Sequence, residues 1–521
     1  MRAIVFGILA LLAFAPGCAS APHEEAPAPV SYGQFQTAQD VGDVGLAGAT
    51  VFDAGSQTFR VTGSGANMWG GVDAFQFVWT RIEGDVAIAA DVAWEGEGGD
   101  PHRKAGVIIR DSLDPDAAYA DVVVHGDGLT SLQYREERGG PTRQVEAALT
   151  HARRIKLERI GDYVYFSAAG ADGVLKHAGG SVRVRLSQNA YVGLAVCAHV
   201  RGRPETARFS NVELARLNLP PPATTGYGAP VESALEVLNV TGGRYGPGNR
   251  RVVRYFPAKI EAPNWSRDGR TLIYNSGGLI YRIPVEGGEP SVINTGPLRR
   301  NNNDHGVSPD GTQLIVSDQS EPDDISRIYI LPIEGSDNPR RVVSHATARS
   351  YWHAWSPDGR TIAYTASRPE IAEGYDIYAR NLTGGRERRL TRHPGLDDGP
   401  DFSPDGRYIY FNSTRSGNMK IWRMQADGSN PEQVTFDEDT RDWFPHPSPD
   451  GRWLAFVSFG LDIDVNDHPP NRDVALRIMP MDGSAPPRVV ARLFGGQGTI
   501  NVPSWSPDSA QLAFVSYRLV R

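Results

Sequence analysis

The chain has 521 residues, too many for one hydrophobic core, so two domains are the default expectation. Its 57 glycines, 38 prolines and 2 cysteines suit turn-rich β-structure and exclude a disulfide-stapled scaffold. A formal net charge of -8, with no Lys/Arg cluster interleaved with aromatics, excludes nucleic acid as a dedicated partner.

The N-terminus, MRAIVFGILALLAFAPGC, carries Arg2, then an apolar stretch, then Cys18. It is too short to span a membrane as a mature helix and reads as a secretion signal over residues 1–21. The segment APGC resembles a bacterial lipoprotein lipobox, with Gly17 before Cys18, although Ala15 and Pro16 depart from that pattern. The resemblance implies lipidation at Cys18 and a lipid anchor in a bacterial membrane. Cleavage after Ala19-Ser20-Ala21 is the competing reading. Residues 22–31 are acidic and proline-rich and suit a flexible tether. The expected location is the bacterial cell envelope, as a periplasmic or outer-membrane lipoprotein.

From 32 to 217 short alternating strands follow one another, among them DVAIAADVAW, KAGVIIRDS, YADVVVHGDG and YVGLAVCAHV, punctuated by Gly and Asp-Gly. No helical period persists, and the region reads as an all-β sandwich. Cys197 falls in an apolar strand and reads as a buried structural thiol. The stretches GDVAIAADV, KAGVIIRDSLDPDAAYADVVV and ARFSNVEL resemble concanavalin-A-like lectin/glucanase jelly rolls, which implies a carbohydrate-binding module. No Glu-x-Asp-x-x-Glu strand is present, which disfavours catalysis there. Trp69, Trp79, Trp94 and Tyr134 are either sugar-stacking residues or sandwich core. NLPPPATTGYGAP, within 218–230, is a linker by composition.

The remainder repeats. NWSRDG, GVSPDG, AWSPDG, DFSPDG, HPSPDG and SWSPDS recur along it, each followed by a strand such as TLIYNS or YIYFNS. Several short strands per repeat mean a β-propeller. Six turns predict six blades. The last copy lacks outer strands, and ALEVLNVTGG and RRVVRYF near the start of the region match them, so strands from both chain ends are expected to close the ring. The repeats resemble TolB-type six-bladed propellers over 231–521. NNDHGVSPDG, YWHAWSPDG and DWFPHPSPDG resemble a subgroup described as Tol biopolymer-transport-like.

Residues just before each turn are expected to face the central channel. They include Asp304, His305, Trp352, His353, Asp397, Asp398, Arg441, Asp442, Trp443, His446, Gln497 and Asn501, with His468 in an insertion that reads as either a channel rim or a plain loop. Imidazoles suit acid–base work or metal binding, arginine pairs with carboxylates, and indoles stack on sugars. The expected catalytic set is Asp304, His305, His353, Asp398 and Arg441. Trp352, Asp397, Asp442, Trp443, Gln497, Asn501 and His468 are expected to contact substrate. His305, His353 and His446 form a candidate site for one divalent metal ion. The alternative is that each histidine caps a neighbouring blade's loop. His305 and His353 share one offset from the turn and are expected to share an orientation.

Oligogalacturonate lyases are distantly similar propellers. That similarity implies a metal and β-elimination, but FPHPS keeps only His446 of the paired histidines, with Phe444 at the first position, and Arg441 stands where a glutamine ligand is expected. The function expected is an envelope protein that binds an oligosaccharide or polysaccharide in the channel and, if it is an enzyme, cleaves it as a lyase or hydrolase. The alternative is a non-enzymatic scaffold of the outer membrane whose partners are envelope proteins. Peptidase activity lacks a Gly-x-Ser-x-Gly motif.

Overall fold

A computed structural model of the protein describes residues 31–96, 98–241, 247–369 and 374–521. Cys18, the signal segment and all but the last residue of the tether lie outside the described residues. The architecture is all-β: two large sheets built mainly from the N-terminal region, followed by a β-propeller.

An eight-stranded sheet is centred on Val86–Glu95 and Val200–Arg216. It faces a ten-stranded sheet that includes Phe75–Glu83, Asn189–Cys197, Lys104–Arg110, Tyr119–His125, Thr130–Arg135 and Arg143–Glu146. Strand alternation explains the core. Ala105, Val107 and Ile109 point inward to meet Ile88, Leu157 and Phe166. Tyr134 belongs to this core and is 1% exposed, so it is no sugar platform. Cys197 is a buried free thiol, its pKa pushed up by burial to about 11.

The ten-stranded sheet continues into the second region. Arg143–Glu146 pairs in parallel with Arg250–Phe256, which pairs with Val231–Asn239, which pairs with Gln511–Leu519. At this seam the Arg250 guanidinium donates to Glu236 at 2.7 and 2.8 Å and to the Ser181 carbonyl at 3.1 Å, and both side chains of the ion pair are fully buried. Residues 218–230 hold no strand, yet hydrogen bonds tie together what lies on either side of them.

Five four-stranded antiparallel sheets form the blades of the propeller. Each recurring turn is built the same way. Ser308 Oγ donates to Asp310 Oδ1 at 2.5 Å, and the same oxygen accepts from the Thr312 amide at 3.0 Å. Ser266, Ser356, Ser403, Ser448 and Ser506 repeat the first bond at 2.6 Å. The turn is therefore structural chemistry, as its residue types imply.

The strands before five of these turns also carry a bulge. Register slips occur between Asn301 and His305, Trp352 and Ala354, Asp398 and Asp401, and Trp443 and His446. The slips differ in size: two extra residues precede His305, whereas His353 is itself the single extra residue. Bulges re-aim side chains, and here they decide what faces the channel.

Candidate functional site at the propeller mouth

Residues from four of these bulged strands, with Gln319, Thr365, Tyr375, Leu396 and the loops that carry His468 and Gln497, enclose a cavity of about 360 Å³ at one mouth of the channel. Asp304, His353 and Asp398 supply its titratable floor, and His468 joins them from the 460–471 loop. Asn302, Asn303, Gln319, Asn466, Gln497 and Asn501 add amides, and Tyr351, Tyr375 and Phe444 add rings. Among the described residues no lysine or arginine lines it.

The bulges make this convergence. His353 and His305 stand where four other copies of the repeat have proline: Pro263, Pro400, Pro445 and Pro503. Phe444, one residue before such a proline, takes φ +56°, a left-handed conformation that is costly for a bulky residue. Asn412 Oδ1 holds it in place by accepting from the Phe444 amide at 3.1 Å. The Phe444 ring then lies nearly parallel to His353, with ring centres 6.1 Å apart.

His353 Nε2 lies 3.3 Å from Asp398 Oδ1. Burial disfavours the imidazolium, but the Asp398 contact and the charges of Asp304 and Asp398 outweigh it and raise the His353 pKa. Burial works against the Asp398 carboxylate too, yet the His353 hydrogen bond and charge hold it down to about 2. Asp304 goes the other way: burial, reinforced by the Asp398 charge, pushes it up to about 7 against the pull of His353. One mouth thus holds two carboxyl groups whose surroundings push their pKa values apart, the arrangement that can assign an acid and a base. His468 is kept neutral by burial, which lowers its pKa; its ring packs 4.4 Å from Trp443 and 5.0 Å from Phe444, centre to centre.

The 460–471 loop is held from two sides. Arg441 Nη1 donates to the Ile463 carbonyl. Asp467 Oδ1 accepts from the His468 amide at 2.8 Å and from Tyr227 Oη at 3.0 Å, while Asn471 Nδ2 donates to the Gly226 carbonyl at 3.2 Å. Gly226 and Tyr227, in the strandless segment 218–230, therefore clasp the loop that delivers His468.

Of the residues singled out from sequence, Asp304, His353, Asp398, His468, Gln497 and Asn501 line this mouth. The others do not. His305 is wholly buried, and burial lowers its pKa to about 4. Its longer bulge gives the mouth Asp304 instead, so the expected common orientation with His353 fails. Trp352 turns towards the opposite end of the channel, where its ring fits only because Gly306 has no Cβ; one there would lie 2.1 Å from the indole. Asp397 is spent on Arg415, at 2.9 and 3.0 Å. Asp442 accepts from Ser458 at 2.7 Å and pairs with Lys420 at 3.3 Å. Trp443 is fully buried beneath His468. Arg441 braces the loop rather than facing the cavity.

His446 Nδ1 sits 3.1 Å from Asp401 Oδ2 and its Nε2 is 2.7 Å from the Ile500 carbonyl. Asp401 lines a second cavity, of about 280 Å³, at the opposite mouth. The three-histidine metal set therefore does not assemble: His305 faces the packed blades, His446 is consumed by protein partners, and His353 alone reaches the amide-lined mouth. Among the described residues no group of three or more His, Cys, Asp or Glu side chains is arranged to hold a metal ion. Sequence reasoning missed Asn302, Asn303, Gln319, Tyr351, Thr365, Tyr375, Leu396 and Asn466, which lie outside the residues nearest the turn.

The family description "TolB beta propeller domain" (PD40) matches residues 322–465. The uncharacterized protein Atu1656 of Agrobacterium fabrum is 46% identical over 295 residues, covering 56% of this chain and 95% of that protein. A solved structure from Agrobacterium tumefaciens, provisionally assigned as TolB, is 45% identical, with a TM-score of 0.51, and covers 56% of this chain and 99% of that one. An oligogalacturonate lyase in complex with manganese shares 14% identity, with a TM-score of 0.34, over 48% of this chain and 70% of that one. A likeness of that size carries no chemistry across.

Proposed function

We propose, from the premise that the chain belongs to the TolB-like PD40 β-propeller family it shares with Atu1656, that the propeller mouth binds the end of a neutral oligosaccharide. The observation that carries this reading is the lining itself. Side-chain amides offer paired donors and acceptors that match vicinal hydroxyls, and aromatic rings accept the apolar faces of a sugar. The volume, about 360 Å³, suits one or two sugar units. A lining without lysine or arginine among the described residues favours a neutral ligand over a uronate at this mouth.

Gln511–Leu519, Val231–Asn239 and Arg250–Phe256 are read here as the sixth blade, shared between the two ends of the propeller chain. The sandwich is read as a jelly-roll module that holds glycan near the mouth. The leader reading adds a secreted or lipid-anchored envelope location. Cys18→Ala is expected to move the protein from the membrane pellet to the soluble fraction, and an unchanged distribution would overturn the anchor.

Cleavage is the stronger form of this proposal. Asp304, its pKa raised by burial to about 7, is read as the acid that gives a proton to the leaving oxygen as water adds at the anomeric carbon, and the ionised Asp398 as the base that takes that water's proton. The family's kinship with TolB favours a second form, binding without turnover. Incubation with neutral oligosaccharides, followed by chromatography of products, separates the two. Product formation lost in Asp304→Asn, with binding retained, supports cleavage. Binding without product supports the scaffold form. No binding at all overturns the site.

A further inference from the structure

We propose that a groove at the rim of the sandwich, formed around Trp94, His151, Arg153 and Arg208, binds an acidic saccharide through its carboxylate or sulfate group. The groove encloses about 470 Å³. Its walls come from different elements held in fixed register. Trp94 lies opposite Ala207 and Arg208 opposite Ala93 on the neighbouring strand. Arg153 is pinned through its backbone, which donates to the Ala169 carbonyl at 2.8 Å and accepts from the Val92 amide at 2.9 Å.

The charges in the groove are one-sided. Asp91, its carboxylate, is already neutralised by Arg154 at 2.7 Å and hydrogen-bonded by Asn211 at 2.6 Å. Arg153 and Arg208 have no carboxylate within 4.0 Å among the described residues. Glu95, the acidic group nearest in sequence to Trp94, is taken by Arg60 at 2.6 and 3.0 Å. The Arg60 hydrogen bond lowers the Glu95 pKa, and Arg208 lies near enough to lower it further but forms no ion pair with it among the described residues. Two guanidinium groups without a bonded carboxylate and a half-buried indole are a common way to hold a sugar that carries an anion: the ring lies on the indole, and the fork geometry of arginine meets the planar group. One face of Trp94 is occupied by Arg103, 4.3 Å from the ring centre, and Arg103 is fixed by Glu205 at 2.6 Å. That contact and the packing of the indole against the sandwich core lock the ring in place, and its exposed part is left to the ligand. The indole Nε1 has no acceptor among the described residues.

Among the described residues the propeller mouth holds no arginine and this groove holds two, so the two sites sort ligands by charge. The proposal rests on reading the sandwich as a glycan-holding module. It does not depend on the chemistry at His353.

The test is calorimetric titration of the full chain with β-1,4-linked triglucuronate and with its neutral counterpart, cellotriose. Triglucuronate is expected to bind the groove, with affinity falling as salt screens the charges. Arg153→Gln combined with Arg208→Gln is expected to weaken it at least about tenfold, the scale of losing charge-assisted hydrogen bonds. Trp94→Ala is expected to abolish it, and His353→Ala to leave it unchanged. Equal binding of cellotriose in a Trp94-dependent manner would overturn the acidic preference and leave the module reading standing. No Trp94-dependent binding of either trisaccharide would overturn both.

Discussion

His353 Nε2 and Asp398 Oδ1 meet at 3.3 Å across two consecutive blades, and Asp304 approaches the same imidazole from the blade on the other side. Three neighbouring blades thus place one titratable group each at one mouth of the channel. A single strand could not do this, because its alternate residues face opposite ways.

The Asp304 carboxyl gives the first prediction. Folding raises its pKa from 3.8 to about 7, so the native state keeps a proton that the unfolded chain loses. Its contribution to stability is therefore full below about pH 4 and is lost as pH rises through 7. Asp304→Asn removes that dependence. Melting curves of both proteins from pH 4 to pH 8 are expected to coincide at the acid end and diverge at the alkaline end. The variant is expected to gain on the order of 1–4 kcal/mol there. Parallel curves across the range would show that the carboxyl is not perturbed.

His446 is expected to behave as structure rather than chemistry. Its removal leaves Asp401 buried without its partner, and breaking a buried pair costs about 3–5 kcal/mol. His446→Ala should lower the melting temperature and leave ligand affinity at the mouth unchanged. A stable variant that fails to bind would return His446 to the site.

Tyr227 is expected to act at a distance. Its hydroxyl holds Asp467, whose carboxylate also fixes the His468 amide. Tyr227→Phe deletes one hydrogen bond, worth about 1 kcal/mol. A loss of roughly fivefold in affinity at the mouth, with the melting temperature nearly unchanged, is the expected result, checked by calorimetry and thermal melts. No change in affinity would show that the linker does not position the loop.

The blades are legible in the sequence because each turn is specified locally, by a serine and an aspartate two residues apart that bond each other and the backbone between strands. The seam between Val145 and Arg250 is not legible, because nothing in a strand's own residues names a partner about a hundred positions away. Half of the site is legible for a similar reason. His353, Asp304 and Asp398 lie within five residues of a turn, where polar side chains are out of place in a packing repeat. The orientation of each is not legible, because a bulge of two extra residues before His305 and of one at His353 sends equal offsets in different directions. Arg441, Asp397 and Asp442 look like channel residues in sequence, yet each meets a partner supplied by another segment: Ile463, Arg415 and Lys420. Gln319 follows the strand Gln313–Asp318 and Tyr375 precedes the strand Asp376–Asn381, away from the turns, where no repeat signal marks them.

The central claim is that the mouth around His353 and Asp398 is where ligand binds. The most direct measurement is calorimetric titration of neutral oligosaccharides into the wild-type chain and into Asp398→Asn, which keeps the side chain's shape and removes its charge. Binding by the wild type that falls at least about tenfold in the variant is the predicted result, since a charge-assisted bond to His353 is lost. Undiminished binding by Asp398→Asn, or binding abolished instead by changes at the opposite mouth around Trp355 and Asp401, would contradict it.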